Sequence, residues 1–287
     1  MTRAVPRRAS LAVVVALLAA TPAGCSGTDA DRSGSGPIRT PSAGPVSHEY
    51  RPGLAAFAHL PEGVTSAPVV VMIPGGGWSS ADPTGLEPLA AALAAQGVVA
   101  MPVVIRAAED QVVHPTPLED VLCALADGAA TATAAGIVPT SLVLLGHSSG
   151  AHLSAVATLA PEQYAPECDD PLVAPDALVG LAGPYDIREF SDAAANLFAA
   201  DADDAAWDAA NPVLLADRRR DVPVLLLHGD ADEVVPAQFS TDFAAALRAG
   251  GHPVTLSIVP GADHGEIYSA PVAASPVVQW LRALPKN

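Results

Sequence analysis

The stretch Gly146-His147-Ser148-Ser149-Gly150 reads G-x-S-x-G. A serine so placed is a candidate nucleophile when glycine on either side lets backbone close around a sharp turn from strand to helix. The bare pattern is common. Its surroundings are more specific: Ser141–Leu145 before it is an apolar strand, and Ala151–Leu159 after it is a helix rich in Ala and Leu. That context lifts the Ser148 hydroxyl to a helix N-terminus. The helix dipole and the backbone N–H of Ser149 favour an oxyanion there.

A serine hydroxyl is a poor nucleophile near neutral pH and needs a base. Among eight histidines, His264 lies in the loop Pro260–Gly265, after the last strand pattern and before the last helix pattern. A nucleophile, acid, histidine order along the chain puts the base there. The other seven read as surface or satisfied structural residues. The acid belongs on the loop His228–Pro236, after the run Val222–Leu227, where Asp230 and Asp232 compete. A second oxyanion donor is expected from Pro74-Gly75-Gly76-Gly77-Trp78, which follows Val69–Ile73. Glycines at a strand's carboxyl end let backbone N–H groups approach a substrate carbonyl.

Six short β-rich runs place these loops: Val69–Ile73, Val98–Ile105, Leu142–Leu145, Ala177–Leu181, Val222–Leu227 and Val254–Val259. Between them lie the helical stretches Gly85–Gln96, Leu118–Ala135, Ala151–Leu159, Phe239–Ala249 and Val272–Leu284. Near-continuous apolar strands alternating with helices predict an α/β fold, a mostly parallel sheet with helices on both faces. Tyr50–Leu60 is expected to add antiparallel edge strands. Asp186–Asp221 breaks the rhythm and predicts short helices over one end of the sheet. The bulky residues available to line a pocket are Trp78, Tyr185, Phe190, Phe198 and Trp207.

Residues 1–24 read as a signal peptide, with Arg3, Arg7 and Arg8 ahead of the apolar run Ala9–Ala20. Cys25 follows as a candidate lipidation site, with Pro22 where a lipobox usually carries Leu. Residues 25–47 are rich in Ser, Gly, Pro and Thr and read as a lipid tether, leaving 48–287 as the catalytic domain. The expected location is the outer face of the cell membrane, with free secretion as the alternative. Removing the three arginines of residues 1–24 takes the formal charge from −17 to −20. Such a surface disfavours nucleic acid and polyanionic substrates. Setting Cys25 aside leaves Cys123 and Cys168, which an oxidising compartment would pair as a disulfide. No metal-ligand cluster or cofactor motif is visible, so no metal and no cofactor are expected.

With these pieces in order, the chain resembles α/β-hydrolase esterases of the His-Gly-Gly-Gly-Trp type. It is similar to the group holding acetyl-xylan and feruloyl esterase-like enzymes and kynurenine formamidases. Pro74 stands where that motif has His, and Ser149 and Ala151 replace the usual Ala and Gly. The resemblance implies a catalytic triad of Ser148, Asp232 and His264, with the acid taken from a His-Gly-x-x-Asp-x-x-Val-Pro stretch. It implies an oxyanion hole from Gly76, Gly77 and Ser149, and places Trp78 and Tyr185 at the substrate. The expected activity is hydrolysis of small acyl, acetyl or feruloyl-type esters, saccharide esters included, through an acyl-enzyme on Ser148. The alternatives are a serine peptidase or amidase of the same fold, and a non-catalytic binding protein on that scaffold.

Overall fold

The computed structural model describes residues 44–285. The signal peptide, Cys25 and the tether up to residue 43 lie outside the described residues. Residues 46 and 47 are not tether: they open the first strand, β1 (Val46–Arg51), which pairs antiparallel with β2 (Leu54–Ala58).

The core is a wholly parallel sheet of six strands: β3 (Ser66–Ile73), β4 (Val99–Pro102), β5 (Val138–His147), β6 (Ala177–Leu181), β7 (Val224–Gly229) and β8 (Val254–Val259). Their order is β4-β3-β5-β6-β7-β8. Side chains alternate across the sheet, so both faces need cover. Val69, Val71 and Ile73 pack on one side with helices α2 (Thr116–Ala134), α3 (Ser149–Leu159) and α6 (Gln238–Gly250). Val70 and Met72 pack on the other with α1 (Glu87–Ala94) and α7 (Ala270–Ala283). Helix α3 lies in the middle and every one of its residues is buried.

β4 is shorter than its apolar run suggests. The Val103 N–H still donates to Met72 O of β3 at 3.2 Å. Beyond it, the Val104 N–H donates to Ala55 O at 2.9 Å, handing the chain to the β1–β2 hairpin. Asp120, wholly buried on α2, accepts from Arg51 at 2.9 Å and Arg106 at 2.7 Å, fixing that hairpin to the body. A buried carboxylate is tolerable because two guanidinium groups satisfy it.

The irregular segment after β6 forms two short helices, α4 (Ser191–Ala194) and α5 (Asp204–Ala209), as its composition predicts. Phe198 stacks on Trp207 at 4.2 Å and also meets His114. Cys123 on α2 and Cys168 beyond α3 form a disulfide with their Cα atoms 5.3 Å apart. Among the described residues, no helix is long and apolar enough to cross a membrane.

Candidate active site

The turn between β5 and α3 is strained at Ser148, whose φ of 53° and ψ of −124° lie where L-residues are rare. The surroundings hold it there. The Ser148 N–H donates to Leu181 O at 2.9 Å, and Ser148 O accepts from Ala151 and His152. The flanking glycines have a steric reason. A Cβ on Gly146 would stand 2.2 Å from Gly150 O, and one on Gly150 would stand 2.3 Å from Ile73 O. Both obstacles are backbone and cannot rotate aside.

The Ser148 hydroxyl meets His264 Nε2 at 3.0 Å, and the other ring nitrogen, Nδ1, donates to Asp232 Oδ2 at 2.7 Å. Asp232 Oδ1 accepts from the N–H groups of Val234 and Val235, at 2.9 and 2.8 Å. His228 Nε2 approaches Oδ2 to 3.2 Å. The carboxylate is wholly buried. Burial pushes its pKa up, but the His264 contact and the two backbone donors outweigh that and hold it below the usual range. Asp230 points elsewhere: its Oδ1 accepts the Gly261 N–H at 2.6 Å, on the loop that carries His264. The Asx turn on this loop is made by Asp232 itself, through Val234 and Val235.

The glycine run turns sharply, with φ of 143° at Gly76, 61° at Gly77 and 56° at Trp78. A Cβ at Gly76 would collide with Ser80 O. Among the described residues, the N–H groups of Gly76, Gly77 and Trp78 have no acceptor. Neighbours hold the loop in place. Asn196 Nδ2 donates to Gly77 O at 3.1 Å, and the Ala108 N–H donates to Trp78 O at 3.1 Å. The indole N–H of Trp78 donates to His152 Nδ1 at 3.1 Å.

Ser148, His264, Gly76, Gly77 and Trp78 all line one cleft of about 420 Å³. Its walls include Leu86, Phe190, Val234 and Tyr268, and no lysine or arginine among the described residues. Tyr185 is not there. It lies wholly buried in the core, stacked on Phe243 of α6 at 4.3 Å. After Ala182, at φ 49°, the chain turns Tyr185 into the core, and the preceding Pro184 reaches the cleft. Phe190 does reach it, 6.4 Å from the Trp78 ring and edge-on to Phe239.

Sequence reasoning passed over His147. Its ring packs 4.7 Å from His264 and 4.3 Å from Tyr268, and its Nε2–H donates to His264 O at 2.9 Å. Burial and the neighbouring His264 hold its pKa down to about 4, so the ring is neutral. Its place between Gly146 and Ser148 was the available signal, because a bulky residue inside a tight elbow has little room except against the site.

The BD-FAE family model matches residues 58–247. The esterase LipC of Mycobacterium tuberculosis is 32% identical over an alignment covering 69% of this chain and 53% of LipC, so the chain spans about half that relative's length. A thermophilic esterase of Thermogutta terrifontis, solved with propionate bound, superposes with a TM-score of 0.68 at 23% identity, covering 83% of this chain and 92% of that one. An acetyl ester-xyloside bifunctional hydrolase of Caldicellulosiruptor lactoaceticus superposes with a TM-score of 0.68 at 22% identity, covering 80% and 88%. At these identities the two structures establish the shared fold.

Proposed function

The chain belongs to the BD-FAE family, and on that premise we propose that it is an exported serine hydrolase of carboxylic esters. The observation that carries this reading is the hydrogen-bonded chain from Ser148 through His264 to Asp232, at 3.0 and 2.7 Å, in the floor of an open cleft. In this reading His264 Nε2 takes the Ser148 proton as the oxygen attacks the ester carbonyl. The developing oxyanion sits between the Ser149 N–H at the start of α3 and the N–H groups of Gly76 and Gly77. His264 then protonates the leaving alcohol, and water hydrolyses the acyl-enzyme by the same route. Asp232 keeps the imidazole oriented and stabilises its cationic form.

The lining supports a neutral ester. Without a lysine or arginine in its walls, the cleft offers an anionic substrate no counter-charge. Leu86, Phe190 and Val234 give apolar surface to a small acyl or alkyl group. The propionate bound to one structural relative, and the acetyl ester-xyloside hydrolase activity for which another is named, extend the reading to short acyl esters on saccharides. Export, with Cys25 lipidated, is supported by the N-terminal pattern and by the disulfide, since such bonds persist in oxidising compartments.

The test is Ser148→Ala, assayed on a panel of p-nitrophenyl esters and acetylated sugars with folding checked by circular dichroism. The expected loss is on the order of 10⁴-fold or more, together with loss of fluorophosphonate labelling. A folded mutant with near-normal turnover would overturn the assignment.

A further inference from the structure

The proposed oxyanion hole is assembled from two parts of the chain. One is the N-terminus of α3, which supplies the Ser149 N–H. The other is the Gly76–Trp78 turn, which supplies the N–H groups of Gly76 and Gly77. An oxyanion gains from both only if their separation is fixed before the reaction, since donors that must first move into place return little stabilisation.

Most grips on the turn come from elsewhere. Ala108 and Glu109 donate their N–H groups to Trp78 O and Ser79 O, and Asn196 reaches Gly77 O from beyond α4. None of these residues is on α3. Among the described residues, the hydrogen bond tying the turn to α3 by side chains is Trp78 Nε1–H to His152 Nδ1, at 3.1 Å. His152 lies one turn beyond the nucleophile, and its own N–H donates to Ser148 O. Its ring is fully buried and meets the Trp78 ring edge-on at 5.2 Å. Its far nitrogen, Nε2–H, donates to Ala210 O at 2.7 Å. That carbonyl fixes the tautomer: with the proton on Nε2, Nδ1 is free to accept from the indole. Burial holds the His152 pKa down to about 4, so Nδ1 remains an acceptor through the neutral range.

We propose that His152 is a positioning residue that locks the glycine turn to the nucleophile helix through Trp78 and so sets the geometry of the oxyanion hole. This rests on Ser148 being the nucleophile. Trp78 pays for its left-handed backbone with this buried bond; without it the turn has a strained residue and no tie to α3.

Three variants separate this role from packing. His152→Leu removes both ring bonds. His152→Gln places its amide nitrogen near Nε2 and keeps the bond to Ala210 O, with no acceptor for the indole. His152→Asn places its oxygen near Nδ1 and keeps the acceptor for Trp78. Fluorophosphonate labelling of the wild type at Ser148, and its absence in Ser148→Ala, first checks the underlying reading by itself. With that in hand, kcat is expected to fall about 10- to 100-fold in His152→Leu and His152→Gln, with KM within about threefold, because the loss is felt in the transition state. His152→Asn is expected to recover most of kcat whatever its melting temperature. Trp78→Phe is expected to lower kcat similarly, and the double variant Trp78→Phe/His152→Leu to be no worse than the poorer single one. Should kcat follow melting temperature across the three variants, should Gln outperform Asn, or should the double-variant losses multiply, His152 is a core residue and the proposal fails.

Discussion

Asp230 and Asp232 sit two residues apart on one loop, and spacing alone does not separate them. Their hydrogen bonds do. Asp232 is held by backbone donors and aimed at His264, whereas Asp230 ties the acid loop to the histidine loop through Gly261. Replacing Asp232 with Asn puts an amide against a ring N–H and favours the wrong imidazole tautomer. Turnover is expected to fall by roughly 10³- to 10⁴-fold. Asp230→Asn keeps an oxygen that still accepts from Gly261, so it should cost less than about tenfold. Equal losses in steady-state assays would mean the acid is misassigned. The buried histidines give a second prediction at this scale. His147 and His152 titrate near 4 in the folded chain, against about 6.5 when unfolded. Between those values the unfolded chain binds more protons, so stability is complete above about pH 6.5 and falls as pH drops toward 4. The loss by pH 4 is about 3 kcal/mol for each. His114 and His228, also lowered by burial, act in the same direction. Unfolding followed calorimetrically at pH 5.5, in buffers of different ionisation enthalpy, should show uptake of about two protons or more. Uptake below one would mean that these rings are not held neutral.

The six parallel strands were readable because each is an apolar run bounded by turn residues, five of them largely buried and only the edge strand β8 half-exposed. What the runs did not carry was where pairing stops. Val104–Ile105 is as apolar as the strand before it, yet the chain leaves the ladder after Val103 to meet the hairpin, a competition between partners distant in sequence. Ser148, His264 and the glycine run were legible because elbow and loops fall at strand ends in a readable order. Tyr185 was misplaced for the opposite reason. It lies in an irregular loop with no period to say which way a side chain faces, and burial against Phe243 decided it. His152 and Asn196 gave no local signal, because their partners lie 74 and 119 residues away. The disulfide joins α2 to the segment after α3, closing a span of 45 residues. Constraining the unfolded chain over that length contributes about 4 kcal/mol. Reduction, or the pair Cys123→Ala and Cys168→Ala, is expected to lower the melting temperature by roughly 8–16 °C at this size. Activity at 25 °C should persist, because neither cysteine reaches the cleft. A shift under about 2 °C would show that the bridge adds little.

Charge decides how the whole molecule can meet a membrane. Without its first 24 residues the chain carries −20, from −17 and three arginines. The cell surface is itself anionic, so at low ionic strength the two repel, and salt weakens that repulsion without making it attractive. A body with this charge does not stay on such a surface by electrostatics. Retention there requires a hydrophobic anchor, and a diacyl group on Cys25 would supply the two chains that stable attachment needs. The proposal that the enzyme is a lipoprotein therefore has a signature distinct from peripheral adhesion. In fractionated cells the activity should sediment with membranes, remain there in both low and 1 M salt, and leave only with detergent. Cys25→Ala should move it to the soluble or secreted fraction with kcat unchanged, since the substitution lies outside the catalytic body. Mass spectrometry of the native N-terminus should find the chain starting at a lipid-modified Cys25. An unmodified start with the wild-type enzyme free in the medium would identify an ordinary secreted hydrolase, for which the acidic surface serves solubility alone.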